Sequence, residues 1–172
     1  MTTDLEDAER STIRVVLADD HEIVRSGLRT ELSRPPADGA GPSFEVVGEA
    51  DNAVGAIDVI AARKPDLVVC DLHMPEGGGL AVVRAAATIA PIVILTVSEQ
   101  ERDLLDAVAA GAAGYLLKTM SPDDLRAALV QVAAGEPAFS PSLAALVLGE
   151  FRRMAKSAGA NPLTDRERDV LT

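Results

Sequence analysis

Apolar residues fall in short runs separated by segments in which they recur three and four positions apart. The runs Ile13–Ala18, Phe44–Ala50, Leu67–Cys70, Ile92–Thr96 and Tyr115–Lys118 are β-branched or aromatic and of strand length. Between them Val24, Leu28 and Leu32 repeat at helical spacing, as do Val54, Ile57 and Ala61, and then Leu125, Leu129 and Val132. Strands alternating with helices predict a parallel sheet covered on both faces, whose interior strands are apolar throughout. The predicted fold class is α/β.

Punctuation divides the chain. Residues 1–11 are polar and acidic without a repeating apolar pattern, and read as a loose tail. The alternating pattern fills 12–136, interrupted by the Pro- and Gly-rich stretch Arg34–Ser43, which reads as a mobile surface insertion. Ser121, Pro122 and Asp124 have the spacing of a capped helix start. Ser140 and Pro141 repeat it and open a sixth helix with Leu143, Leu146, Val147, Phe151 and Met154 on one stripe. Lys156–Pro162 then breaks the pattern, so 137–162 is read as a linker carrying a helix. In 163–172, Thr164 and Glu167 cap the start of one more helix.

Composition narrows the class. With 172 residues, 48% of them apolar and 2% aromatic, the chain has material for one core of Val, Leu, Ile and Ala plus an appendage. A formal charge of −11 opposes the phosphate contacts that nucleic-acid binding needs. One cysteine, Cys70, leaves no intrachain disulfide and no Cys-based zinc cluster, which fits a reducing compartment. Its place inside an apolar run reads as core. No run approaches the ~20 residues of a membrane span, and nothing resembles a signal peptide. A soluble cytoplasmic protein, with no membrane partner, is expected.

Open parallel sheets bind ligands beyond the carboxyl ends of their strands, where strand order reverses. Here the first strand ends at Asp19 and Asp20, the third at Asp71, the fourth at Thr96 and the fifth at Lys118. With five strands in the order 2-1-3-4-5, these groups surround one crevice. Three carboxylates packed together need a cation, and a few oxygen ligands suit Mg²⁺. Lys118 and the Thr96 hydroxyl suit the oxygens of a transferring phosphoryl group. Asp71, alone at its strand end, is then the nucleophile that forms an aspartyl-phosphate.

The segments LADDHEIVRSGL, VVCDLHMPEGGGL, ILTVSE and AGAAGYLLK resemble the receiver domain of bacterial two-component response regulators, in wording most similar to the NarL/FixJ subfamily. LTDRERDVL resembles the opening of a LuxR-type helix-turn-helix domain whose remaining helices are absent from the sequence, so DNA would be reached only through that missing part. The resemblance implies a flavodoxin-like doubly wound sheet and phosphotransfer from a sensor histidine kinase to Asp71. It implies homodimerisation on phosphorylation and control of a transcriptional output. It implies Asp20 and Asp71 as direct Mg²⁺ ligands, Asp19 acting through water, and the backbone carbonyl of His73 as a third protein ligand. Thr96 and Lys118 would hold the phosphoryl group and Tyr115 would be the switch aromatic. Many relatives carry a proline with a cis bond where this chain has Thr119, and the connection containing Arg34–Ser43 resembles a shorter loop in them.

Plainer readings stand beside these. A DD pair alone is common on surfaces, Tyr115 can be ordinary core, and His21 and His73 can be solvent-facing or support other ligands. A phosphohydrolase with an Asp nucleophile is a rival, but it usually carries a carboxylate two residues beyond the nucleophile, where this chain has His73. A docking domain that never carries phosphate is a second rival. The expectation is a phosphorylation-controlled switch, with no enzymatic turnover beyond its own phosphorylation and dephosphorylation.

Overall fold

Six strands form one parallel sheet in the order β2-β1-β3-β4-β5-β6 in the computed structural model, which describes residues 12–36, 39 and 41–160. The strands are β1 (Thr12–Ala18), β2 (Ser43–Ala50), β3 (Leu67–Cys70), β4 (Ile92–Thr96), β5 (Gly114–Leu117) and β6 (Ala138–Phe139). The helices are α1 (Glu22–Ser33), α2 (Ala53–Arg63), α3 (Gly78–Ala86), α4 (Glu101–Ala110), α5 (Pro122–Ala133) and α6 (Pro141–Ala160). The tail 1–11, part of the Arg34–Ser43 insertion and the helix start at 163–172 lie outside the described residues.

Strand alternation builds two cores. Val16, Val68, Ile92, Ile94 and Tyr115 face the layer of α2, α3, α4 and α6, while Val15, Leu67, Val93, Leu95 and Leu116 face α1 and α5. Every residue of β3, β4 and β5 is buried, as expected of strands covered on both faces.

The strand count departs from the predicted five. Ala138 and Phe139 add a sixth strand beside Gly114 and Tyr115. Two residues carry no readable period, and their pairing is fixed by β5, far back in the sequence. Nothing but hydrogen fits at Gly114, where a Cβ would lie 2.6 Å from the Ala138 carbonyl oxygen. Helix α6 also differs from expectation. It continues through Ala160, past Lys156, because Gly159 costs a helix only about 1 kcal/mol and Pro162 lies beyond it. Of its predicted stripe, Leu143 and Val147 are buried and Leu146 is partly so, whereas Phe151 is exposed. The Ser121 hydroxyl caps α5 as predicted, accepting from the Asp124 amide at 3.2 Å. Among the described residues every peptide bond is trans, the one after Lys118 included.

Candidate functional site

Register brings the polar strand ends together. Ala18 lies beside Cys70, Cys70 beside Ile94, and Thr96 beside Leu117. The next residues, Asp19, Asp71 and Lys118, therefore emerge along one edge. The Asp71 amide donates to the Ala18 carbonyl at 2.8 Å and the Lys118 amide to the Thr96 carbonyl at 2.8 Å, carrying the ladder one step past the strands.

The Lys118 ammonium sits between two buried carboxylates, donating to Asp19 Oδ2 at 2.9 Å and lying 3.6 Å from Asp71 Oδ2. Asp19, Asp20, His21 and Asp71 offer ligand atoms within 4.8 Å of one another. His21 supports the pair: its amide donates to Asp19 Oδ1 at 2.8 Å, and its Nδ1 lies 3.0 Å from Asp20 Oδ1 and 3.2 Å from Asp19 Oδ1. His73 is exposed and, with Asp20, Met74, Pro75, Gly77 and Asp103, lines a cleft of about 580 Å³ beside the cluster. Burial pushes the Asp71 carboxyl above the usual carboxylate range; Lys118 pulls it down, Asp19 pushes it up, and the amides of His73 and Leu72 pull it down. Burial likewise pushes the Cys70 thiol far up, leaving it an inert core residue.

The loop after β3 is drawn tight against the site. Glu76, Gly77 and Gly78 all have positive φ, and a Cβ at Gly79 would lie 2.5 Å from the Asp71 carbonyl oxygen. That close approach explains why the sequence reads GGG just beyond the candidate nucleophile.

Thr96 is fully buried, and its Oγ1 accepts from the Ser98 amide at 3.3 Å. Tyr115 is also fully buried, its hydroxyl donating to the Ser98 carbonyl at 3.1 Å. The Ser98 hydroxyl donates to Asp103 of α4 at 2.5 Å. Burial raises the Tyr115 hydroxyl pKa, the Ser98 contact lowers it, and the Asp103 charge raises it. The sequence pointed to neither Ser98 nor Asp103. Ser98 is an ordinary loop residue and Asp103 an ordinary first-turn acid until the β4–α4 loop folds back over Tyr115.

A doubly wound parallel sheet with an acidic crevice at its switch point defines the class of protein: an α/β ligand-binding domain whose site lies beyond the strand ends. Residues 15–130 match the family model described as the response regulator receiver domain, and the chain belongs to that family. It is 38% identical over 162 residues to the nitrate/nitrite response regulator protein NarL of Escherichia coli, an alignment covering 91% of this chain and 72% of that one. It is 36% identical over 163 residues to the DNA-binding transcriptional activator DevR/DosR of Mycobacterium tuberculosis, covering 92% and 72%. The crystal structure of a LuxR-family two-component response regulator from Aurantimonas sp. superposes with a TM-score of 0.73 at 36% identity, covering 81% of this chain and 98% of that one. The NarL/FixJ assignment follows from these relatives. No described helix is long and apolar enough to cross a membrane.

Proposed function

We propose that Asp71 accepts a phosphoryl group from a sensor histidine kinase and that its phosphorylation controls a DNA-binding output, as a regulator and not as an enzyme with turnover of a separate substrate. The observation that carries this reading is the Lys118 ammonium held between Asp19 and Asp71 inside a cluster of three carboxylates. Three carboxylates and one ammonium leave two negative charges uncompensated, the charge that a divalent cation cancels. Hard oxygen donors fit Mg²⁺. Asp20 and Asp71 would hold it directly, Asp19 through water, and the His73 carbonyl would complete the protein ligands. When bound, Mg²⁺ supplies charge neutralisation and a template for phosphoryl oxygens.

The chain's own groups do the rest. An oxygen of the Asp71 carboxylate forms the bond to phosphorus as the bond to the donor's nitrogen or oxygen breaks, leaving an acyl phosphate on Asp71. Lys118 turns from the carboxylates to the phosphoryl oxygens. Thr96, whose oxygen accepts from Ser98, has its own proton to donate to them. Drawing Thr96 inward vacates space beside Tyr115, which shifts the population of the β4–α4 loop and α4. DevR/DosR is named a DNA-binding transcriptional activator, which supports a transcriptional output for this chain.

The test is intact mass after incubation with Mg²⁺ and acetyl phosphate. The wild type is expected to gain one phosphate-mass adduct and Asp71→Ala none. Labelling of Asp71→Ala, or of the wild type in excess chelator, would overturn the assignment.

A further inference from the structure

Apart from tyrosine and cysteine, four polar or charged residues are buried among the described residues: Asp19, Asp71, Thr96 and Ser140. The first three belong to the site already described. Ser140 comes from beyond β6, at the head of α6, and has no place in the phosphoryl chemistry set out above.

Its sequence context promises a helix cap, because Ser140-Pro141 repeats Ser121-Pro122. The Ser121 hydroxyl does cap its helix. The Ser140 hydroxyl instead accepts from the backbone amide of Leu117 at 3.0 Å and lies 3.3 Å from Met120 Sδ. The reason is geometric. Outer-edge groups of β5 pair with β6, which ends at Phe139, and Leu117 is left one step beyond it. Ser140 closes the gap twice, its amide donating to the Tyr115 carbonyl at 3.2 Å and its hydroxyl accepting from Leu117. Its own carbonyl accepts from the Leu143 and Ala144 amides of α6 at 2.8 and 3.1 Å. One residue therefore joins the first turn of α6 to the strand end that carries Lys118.

The attachment is continuous with packing. Leu143 and Val147 of α6 share a core with Tyr115 and with Leu104 and Ala107 of α4. Further along, Arg153 lies 3.9 Å from Glu101 in the first turn of α4. Helix α6 is thus fastened to both elements that flank the crevice.

We propose that Ser140 is a positioning residue for phosphoryl transfer: by holding the Leu117 amide it fixes the strand end on which Lys118 is carried, so that docking of α6 and phosphorylation of Asp71 favour one another. This rests on the receiver reading of the site. Without the hydroxyl, a buried amide next to Lys118 loses its partner, and the turn must reorganise to reach another. A helix that helps hold Lys118 where a bound phosphoryl group needs it is, by reciprocity, held more firmly once that group is present.

The experiment uses the whole chain as wild type, Ser140→Ala, Ser140→Thr and Ser121→Ala. Phosphate uptake from acetyl phosphate with Mg²⁺ is followed by intact mass, and amide hydrogen exchange is followed with and without beryllofluoride. Ser140→Ala should take up phosphate roughly tenfold more slowly at saturating donor, with the half-saturating donor concentration unchanged. Ser140→Thr, which keeps a hydroxyl, should recover to within about threefold of wild type. Ser121→Ala, which removes a cap without touching Leu117, should match wild type. In the wild type, beryllofluoride should slow exchange in the first turns of α6, a measurement that decides the coupling even if Ser140→Ala fails to fold. Equal rates for wild type and Ser140→Ala would overturn the role of Ser140 while leaving the receiver reading intact. Exchange in α6 that is unchanged or faster with beryllofluoride would overturn the coupling, whereas an unlabelled wild type would overturn the receiver reading itself.

Discussion

Asp71, the proposed phosphoacceptor, is a carboxylate kept in an uncomfortable place. Burial and the neighbouring Asp19 raise its carboxyl pKa, and Lys118 and two amides offset only part of that. Between its ordinary and raised values the folded chain binds more protons at Asp71 than the unfolded chain does. Stability contributed by this residue is therefore lost as pH rises through that window, and the penalty is complete above it. In the absence of divalent cations Asp71→Asn should melt higher than wild type at pH 7, and the gain should vanish as pH falls towards the ordinary carboxylate value of ~4. Thermal unfolding of both proteins at the two pH values checks this; a gain of the same size at both would place its origin elsewhere. The residues carrying this strain were legible in the sequence because each follows an apolar run. Ser98 and the hydroxyl of Ser140 were not legible in their roles, since each acts on a partner that only the folded chain brings near.

At the scale of elements, the inner strands β3, β4 and β5 announce themselves because burial on both faces demands apolar runs, whereas edge strand β2 is read from Phe44, Val46 and Val47 despite Glu45 and Glu49. Helices α1, α2 and α5 do so by their period. Strand β6 did not, since two residues cannot show a period and their pairing is set by Gly114 and Tyr115. The start of α3 was legible only as a run of glycines, and the structure gives each a different weight. At Gly79 a Cβ would meet backbone on two sides, the Asp71 oxygen at 2.5 Å and the Leu72 Cα at 3.1 Å. Backbone cannot swing aside, so Gly79→Ala should cost about 1–3 kcal/mol. Gly27, inside α1, has nothing within 4 Å of its Cβ direction, and Gly27→Ala should instead stabilise by ~0.5–1 kcal/mol. Urea unfolding of the two variants should move the midpoint in opposite directions, and a loss in both would show that α1 needs its glycine for another reason.

For the whole molecule, the coupling proposed from Thr96 and Tyr115 would run into α4 and α6, which share one face of the sheet. Leu148 and Phe151 lie exposed on α6, one turn apart. Firmer seating of α6 on phosphorylation, as proposed above, would fix that pair in one arrangement, so beryllofluoride with Mg²⁺ should raise the sedimentation coefficient of wild type towards that of a dimer and leave Thr96→Ala unchanged. An unmoved wild type would separate phosphorylation from self-association in this chain. How two copies can meet is limited by the ends of the sheet. On one side β6 is two residues long, and Ser140 satisfies the next free amide of β5 with a hydroxyl. On the other, β2 departs from regular register at Val47 and carries Glu45 and Glu49. A stub and a kinked border with the exposed Glu45 on it are poor templates for strand addition. Among the described residues neither end of the sheet invites a neighbour's strand, so association of two copies is expected to run through helices and not to grow as a fibre along the strands.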